Sequence, residues 1–70
     1  MELERYYVDK NARPTGEHEV HTAECIYLPD EDNRVYLGYH KDCKHALETA
    51  KINYDRVDGC YHCSKECHTR

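Results

Sequence analysis

The sequence contains no Phe and no Trp, and its one Met is the first residue. Apolar bulk therefore comes largely from seven tyrosines, and a tyrosine packs well only where its hydroxyl reaches water or a hydrogen-bond partner. A domain this small buries only about 60% of the surface that its unfolded chain exposes. The weak core predicts an additional cross-link, either a metal ion or disulfide bonds.

Long apolar segments are also absent. The opening Met-Glu-Leu-Glu-Arg lacks the apolar part of a secretory signal, and no apolar run approaches membrane-spanning length. We therefore expect one small domain over residues 1–70, cytoplasmic and without membrane contact. The cysteines number five, and a reducing cytosol keeps thiols unpaired, so we expect metal binding. Two disulfides and one free thiol are the alternative if a signal has been removed.

Basic residues are too few and too scattered to favour a nucleic-acid partner. The chain has 10 Lys and Arg against 14 Asp and Glu, which gives a formal net charge of −4. Binding to nucleic acid depends on clustered positive charge. Ligation of a divalent ion by three thiolates would make the chain about one unit more negative.

Cysteine and histidine occur in two groups with metal-ligand spacing. Gly59-Cys60-Tyr61-His62-Cys63 is a C-x2-C pair that reaches one ion from a single turn, and His21 with Cys25 forms an H-x3-C pair. Zinc prefers four Cys or His ligands, usually as two pairs from separate elements. We predict one Zn(II) per chain, bound by His21, Cys25, Cys60 and Cys63. Structural zinc supplies about 10–16 kcal/mol in small peptides, enough to decide whether this chain folds.

The remaining cysteines and histidines leave alternatives open. Cys67 and His68 follow Cys63 closely, so ligand sets that include either of them are the alternative. Cys43 is interpreted as a small buried residue on the apolar side of a helix, although a helix N-terminus also lowers the pKa of a thiol. The surface or rim is expected for His18, His40, His45 and His62, and solvated charge for Glu17, Glu19 and Glu24.

The patterning predicts an α+β fold, a three-stranded antiparallel sheet with one helix packed on it and one zinc ion as the staple. Strands are predicted over residues 3–9, 17–21 and 34–39, between turn-forming segments. Alternation in the third strand places Val35, Leu37 and Tyr39 on the core face. Asp42 is the expected N-cap of a helix over residues 43–54. The apolar stripe of that helix is Cys43, Ala46, Leu47, Ala50 and Tyr54.

These motifs resemble the metal-binding domain of the Ada DNA-repair methyltransferase: His21-x3-Cys25, a strand, a helix with Ala46 and Ala50, then Gly59-Cys60-x2-Cys63. The whole chain also resembles short bacterial zinc-binding proteins with a Tyr-Tyr-Val-Asp opening and a Cys-His near the end. In Ada the first cysteine of the C-x3-C pair accepts a methyl group from DNA phosphate. His21 occupies that position here, and an imidazole cannot replace that thiolate. The resemblance therefore implies the zinc scaffold without the repair chemistry.

The sequence thus predicts a monomeric, non-catalytic protein with structural zinc that acts as a protein-interaction or adaptor module. Tyrosines too numerous to bury would suit an unidentified protein partner: Tyr6, Tyr7, Tyr27, Tyr36, Tyr39 and Tyr61. Two alternatives are a nucleic-acid-associated zinc module, by analogy with Ada, and a thiol or metal sensor that uses Cys43 and Cys67. We find no acid/base pair, nucleophile elbow or phosphate-binding glycine loop, so we do not expect an enzyme.

Overall fold

The computed structural model describes residues 2–69, and Met1 and Arg70 lie outside the described residues. The architecture is α+β, and its elements are β1 (Glu4–Asp9), β2 (His18–Thr22), β3 (Arg34–His40), α1 (Cys43–Ala50) and β4 (Val57–Gly59). Short 3₁₀ turns span Glu31–Asn33 and Lys65–Cys67. Between residues 2 and 69, no helix has the length and apolar character needed to cross a membrane.

The strands form one mixed sheet in the order β3-β1-β2-β4. β1 is antiparallel to both β2 and β3, whereas β4 runs parallel to β2. The prediction of three antiparallel strands is therefore wrong in strand number and in orientation. The reason is that β4 has only three residues, too few for a visible alternation of apolar and polar side chains.

The core lies between one face of the sheet and α1. Buried side chains from the strands are Tyr6, Val8, Val20 and Leu37, and those from the helix are Cys43, Ala46 and Ala50. Leu47 and Tyr54 pack against this cluster, so the predicted apolar stripe does face the sheet. Full burial of one Val or Leu side chain contributes about 1.5–3 kcal/mol, which leaves this short list of apolar residues as a modest core.

The helix begins as predicted and ends earlier than predicted. Asp42 is the N-cap, and its Oδ1 accepts a hydrogen bond of 3.0 Å from the backbone N–H of His45. At Ile52 and Asn53 the hydrogen bonding tightens to i→i−3, with the carbonyls of Thr49 and Ala50 as acceptors, before the Tyr54 N–H makes a last i→i−4 bond to Ala50. The tighter turn brings Tyr54 back to the sheet, where its ring stacks on His18 with centroids 3.8 Å apart.

The predicted core face of the third strand is wrong for Tyr39. Leu37 is buried and Val35 packs against the core, but 61% of Tyr39 is exposed. Gly38 has a φ of +94°, a left-handed conformation that interrupts the regular alternation of side chains. The pairing of β1 with β3 shifts register at the same place. Tyr39 therefore leaves the core face that strict alternation predicted.

The C-terminal segment is fastened to α1 and β4. Cys43 and Cys67 form a disulfide, so the prediction that the cysteines remain thiols is wrong for this pair. The buried carboxylate of Asp58 accepts hydrogen bonds from the N–H and the hydroxyl of Thr69, each 3.0 Å long. Nδ1 of His68 donates to the carbonyl of Gly59 over 3.0 Å. The burial of Cys43 is as predicted.

Candidate metal centre

Pairing of β2 with β4 brings the two halves of the predicted site together. Val20 is the register partner of Gly59, and the N–H of Cys60 donates to the Val20 carbonyl over 3.0 Å. His21 directly follows Val20, and Cys60 directly follows Gly59. Both residues therefore lie at the same end of the β2–β4 pair. Two turns carry the other two residues of the predicted site, Cys25 and Cys63: the Cys25 N–H donates to the Thr22 carbonyl, and the Ser64 N–H donates to the Cys60 carbonyl.

His21, Cys25, Cys60 and Cys63 form a cluster that could hold a metal ion, with their ligand atoms all within 4.8 Å of one another. The Sγ atoms of Cys25 and Cys60 are 3.8 Å apart, too far for a disulfide. A tetrahedral ion with metal–sulfur bonds of about 2.3 Å has sulfur–sulfur edges of about 3.8 Å. The Cys63 Sγ also lies 3.8 Å from the His21 Nδ1. The donor set therefore fits a four-coordinate ion.

Backbone N–H groups point at all three sulfurs of the cluster. Thr22 N–H donates to Cys63 Sγ over 3.3 Å, and Tyr27 N–H donates to Cys25 Sγ over 3.4 Å. Cys60 receives backbone hydrogen bonds from Cys63 and His62. A hydrogen bond to the charged form of an acid favours that form, so the two turns are arranged to stabilise thiolates. Thiolates are the form in which cysteine binds metal.

The thiols differ in the direction of their pKa shifts. Burial opposes ionisation of Cys63, but hydrogen bonds to its sulfur from His21, Cys25 and the Thr22 backbone outweigh burial and lower its pKa to about 6. Burial and the hydrogen bond to Cys63 raise the pKa of Cys25 to about 12. Burial also raises the pKa of Cys60. One thiol of the cluster is therefore ready to ionise near neutral pH.

Glu19 and Arg13 support His21, a role that the sequence interpretation did not give them. Glu19 Oε1 lies 3.9 Å from Nε2 of His21, the ring nitrogen remote from Cys63. Arg13 Nη1 donates to Glu19 Oε2 over 2.6 Å. Residues two apart on a strand share a face, so the position of Glu19 relative to His21 was the available signal. Glu19 is an ion-paired neighbour of the cluster rather than a solvated charge.

Gly59 lets the C-terminal segment pass close to the turn that carries Cys60 and Cys63. A Cβ atom at this position would lie 2.5 Å from the Ser64 carbonyl oxygen and 2.7 Å from the Cys67 Cβ. Its φ is not positive, so close packing explains the glycine and backbone conformation does not. The glycine before the C-x2-C pair therefore permits the disulfide-bonded segment to lie against the turn that carries Cys60.

The other cysteine, histidine and glutamate residues considered from the sequence lie outside the cluster. Cys67 is in the disulfide and His68 bonds Gly59, and neither belongs to the cluster found among residues 2–69. His18 donates from Nδ1 to the carbonyl of Asp9, away from His21, as the odd spacing of the two histidines predicts. Glu17 is buried, contrary to the prediction of a solvated charge, and accepts from Arg56 over 3.0 Å.

No protein-family model, no curated protein and no solved structure matches this chain. The resemblance to the Ada metal-binding domain therefore remains a prediction that depends on the motifs alone.

Proposed function

We propose that the chain is a small binding module, with no catalytic role, whose fold is closed by one structural Zn(II) and which acts as an adaptor for a protein partner. The observation that carries this proposal is the set of four converging donor residues, of which His21 and Cys60 are buried and Cys25 and Cys63 are half-buried. These residues belong to two distant segments of the chain, so one ion would join the segment after β2 to the turn after β4.

The chemistry of the donors supports zinc. Three thiols and one imidazole form a soft, four-donor set, which favours zinc over hard ions such as magnesium or calcium. Catalytic zinc sites keep one position for water or substrate, whereas four protein ligands close the shell. His21 and Cys60 are 2% and 3% exposed, which further limits access to an ion. Both features support a structural role.

Exposed aromatic residues support a role in protein binding. Tyr27, Tyr36, Tyr39 and Tyr61 are each at least half exposed. Tyrosine is enriched in protein–protein interfaces, where its ring packs and its hydroxyl forms hydrogen bonds. The net charge of −4 does not favour nucleic acid. If the Ada-like interpretation holds, His21 in place of the methyl-accepting thiolate leaves only the scaffold in common.

Native mass spectrometry tests the proposal. We expect one zinc per chain in the unaltered protein, and its loss together with lower stability in His21→Ala, Cys25→Ser, Cys60→Ser and Cys63→Ser. The matched control is the double variant Cys43→Ala/Cys67→Ala, which removes the cysteines outside the cluster and should keep the ion. A chain that binds no zinc, or a control that loses zinc as completely as the ligand variants do, would contradict the proposal.

The Cys43–Cys67 disulfide favours a second candidate function, a redox-responsive protein. Its sulfurs lie outside the metal cluster, and Cys67 is only four residues after Cys63 in the chain. Reduction by a dithiol would convert the disulfide to two thiols, oxidise the dithiol to its own disulfide and remove the covalent link between the C-terminal segment and α1. This candidate predicts that reduction of the zinc-loaded protein changes its zinc affinity or its spectrum. If both stay unchanged, the disulfide is structural only.

A further inference from the structure

A cleft of about 380 Å³ opens beside the metal cluster. It lies on the sheet face opposite α1, because Glu19 and His21 alternate along β2 with Val20, which packs toward the helix. His21 and Cys60 line its inner part. The outer part is formed by Asp9, Arg13, Glu19, Tyr27, Tyr61 and His62. We refer to this outer part as the acidic-aromatic cleft.

Three rings form one wall of the acidic-aromatic cleft. The centroid of Tyr27 lies 4.4 Å from that of His62, and Tyr61 meets the same histidine edge-on at 5.4 Å. More than half of each tyrosine is exposed. Tyr61 lies between the predicted ligands Cys60 and Cys63, and Tyr27 is two residues after Cys25, so a bound ion would also hold the wall in place. A preformed wall lowers the entropy cost of binding a ligand.

The charges of the cleft favour a cation. Asp9 and Glu19 bring two carboxylates, and Arg13 brings one guanidinium, which is already paired with Glu19 at 2.6 Å. An ion with three thiolate ligands and one neutral imidazole would add about one further negative charge. Tyrosine faces also attract cations through the ring quadrupole. Electrostatic and aromatic surfaces therefore select the same class of ligand.

We propose that the acidic-aromatic cleft binds an arginine side chain from a basic segment of the partner protein. The inference rests on the proposed function, since it names the chemistry of the partner of the same module. A planar guanidinium stacks on an aromatic ring and binds a carboxylate through two N–H groups, which an ammonium does not. Within the chain, Arg13 already binds Glu19 in the cleft through one N–H group at 2.6 Å. Phosphate groups would meet two carboxylates here and are disfavoured.

The experiment is an NMR titration of the ¹⁵N-labelled, zinc-loaded protein with two peptides, acetyl-Gly-Ser-Arg-Ser-Gly-amide and its citrulline counterpart. Citrulline keeps the shape of arginine without the charge. We expect the arginine peptide to shift the amide signals of Tyr27, Tyr61 and His62, and to bind about tenfold more tightly than the citrulline peptide. A lysine peptide should bind more weakly than the arginine peptide.

Matched variants locate the binding site. Asp9→Asn and Tyr61→Leu remove a charge and a ring of the cleft, and each should weaken binding of the arginine peptide several-fold. The controls Glu48→Gln and Tyr39→Leu remove an exposed charge and a half-exposed ring that do not line the cleft. They should leave the affinity unchanged. Equal losses in the cleft variants and in the controls would show that binding does not depend on the cleft and would overturn the inference.

The remaining outcomes separate this inference from the proposed function. A folded, zinc-loaded chain that does not distinguish arginine from citrulline contradicts the inference and leaves the zinc module intact. A short single-stranded RNA that shifts the same signals more strongly than the arginine peptide also overturns the inference. A chain that holds no zinc contradicts the proposed function and the inference together.

Discussion

Nε2 of His21 lies 3.9 Å from the carboxylate of Glu19, while Nδ1 of the same ring lies 3.8 Å from the sulfur of Cys63. The two nitrogens therefore face different partners, a carboxylate on one side and the thiol cluster on the other. In metal sites a carboxylate at the remote nitrogen orients the ring and fixes its tautomer. Arg13, at 2.6 Å from Glu19, holds that carboxylate in place.

Glu19→Gln should weaken zinc binding. The substitution keeps the shape of the side chain and removes the charge that faces His21, and loss of such a partner costs about 10–100-fold in metal affinity. Because 3.9 Å is longer than a direct hydrogen bond, we expect the lower end of that range. Competition with a chromophoric chelator measures the zinc affinity of the variant. Glu24→Gln, at an exposed position beyond β2, is the control, and equal affinities in the two variants would contradict a supporting role for Glu19.

The double variant Cys43→Ala/Cys67→Ala should be less stable by about 3 kcal/mol, since the disulfide closes a loop with a sequence separation of 24. Chemical denaturation of the zinc-loaded proteins measures the difference. Reduction of the unaltered protein by a phosphine is the control for lost packing, because it opens the bond and keeps both side chains. An intact mass equal to that of the fully reduced chain, before any reductant is added, would contradict the disulfide itself.

Gly59→Ala should lower both stability and zinc affinity. The added Cβ would clash with the Ser64 carbonyl and with Cys67, which forces the backbone next to Cys60 to move. Overpacking of this kind costs about 1–3 kcal/mol. The control is Gly38→Ala, where the added Cβ would meet nothing closer than 3.9 Å. Its φ of +94° is strained for alanine, so this variant should also lose about 1–2 kcal/mol of stability.

The two glycine variants should differ in metal affinity rather than in stability alone. Gly38 is in β3, at the far edge of the sheet from β4, so its substitution should not change the zinc affinity. Chelator competition on both variants provides the comparison. Unchanged zinc affinity in Gly59→Ala would show that the turn around Cys60 adapts to the added methyl group.

Cys63 should be the first thiol of the cluster to react in the metal-free protein. Hydrogen bonds, chiefly from His21, overcome the effect of burial and lower its pKa to about 6, whereas the pKa of Cys25 is raised to about 12. The thiolate is the nucleophile, so the alkylation rate of Cys63 should rise as the pH increases through about 6 and then level off.

Peptide mass mapping after brief treatment with iodoacetamide, at a series of pH values, measures this order of reaction. Zinc-loaded protein is the control, in which the same thiol should be protected. Replacement of His21 by Ala should move the midpoint of the Cys63 reaction to higher pH, because the strongest hydrogen bond that favours the thiolate is lost. Faster reaction of Cys25 than of Cys63 at neutral pH would contradict the predicted order.

Much of the fold follows from local patterns. The strands β1, β2 and β3 lie within a few residues of their predicted bounds, and Asp42 caps the helix as expected. These elements depend on side-chain periodicity and capping, which act over a few residues. The candidate ligands were also identified from spacing, because two donors on one turn must be close in sequence. The structure brings those four residues together.

The features of the fold and of the candidate site that local patterns do not predict depend on contacts between distant residues. The parallel pairing of β4 with β2 and the disulfide between Cys43 and Cys67 leave little local signal in a 70-residue chain. Gly38 shows the same limit within one strand, since its left-handed backbone changes the face of Tyr39. The sequence determined which side chains could hold a metal ion, because spacing and donor chemistry are local properties. Only the tertiary structure decided which cysteines pair with each other and which surface lies beside the cluster, because both depend on how distant strands align.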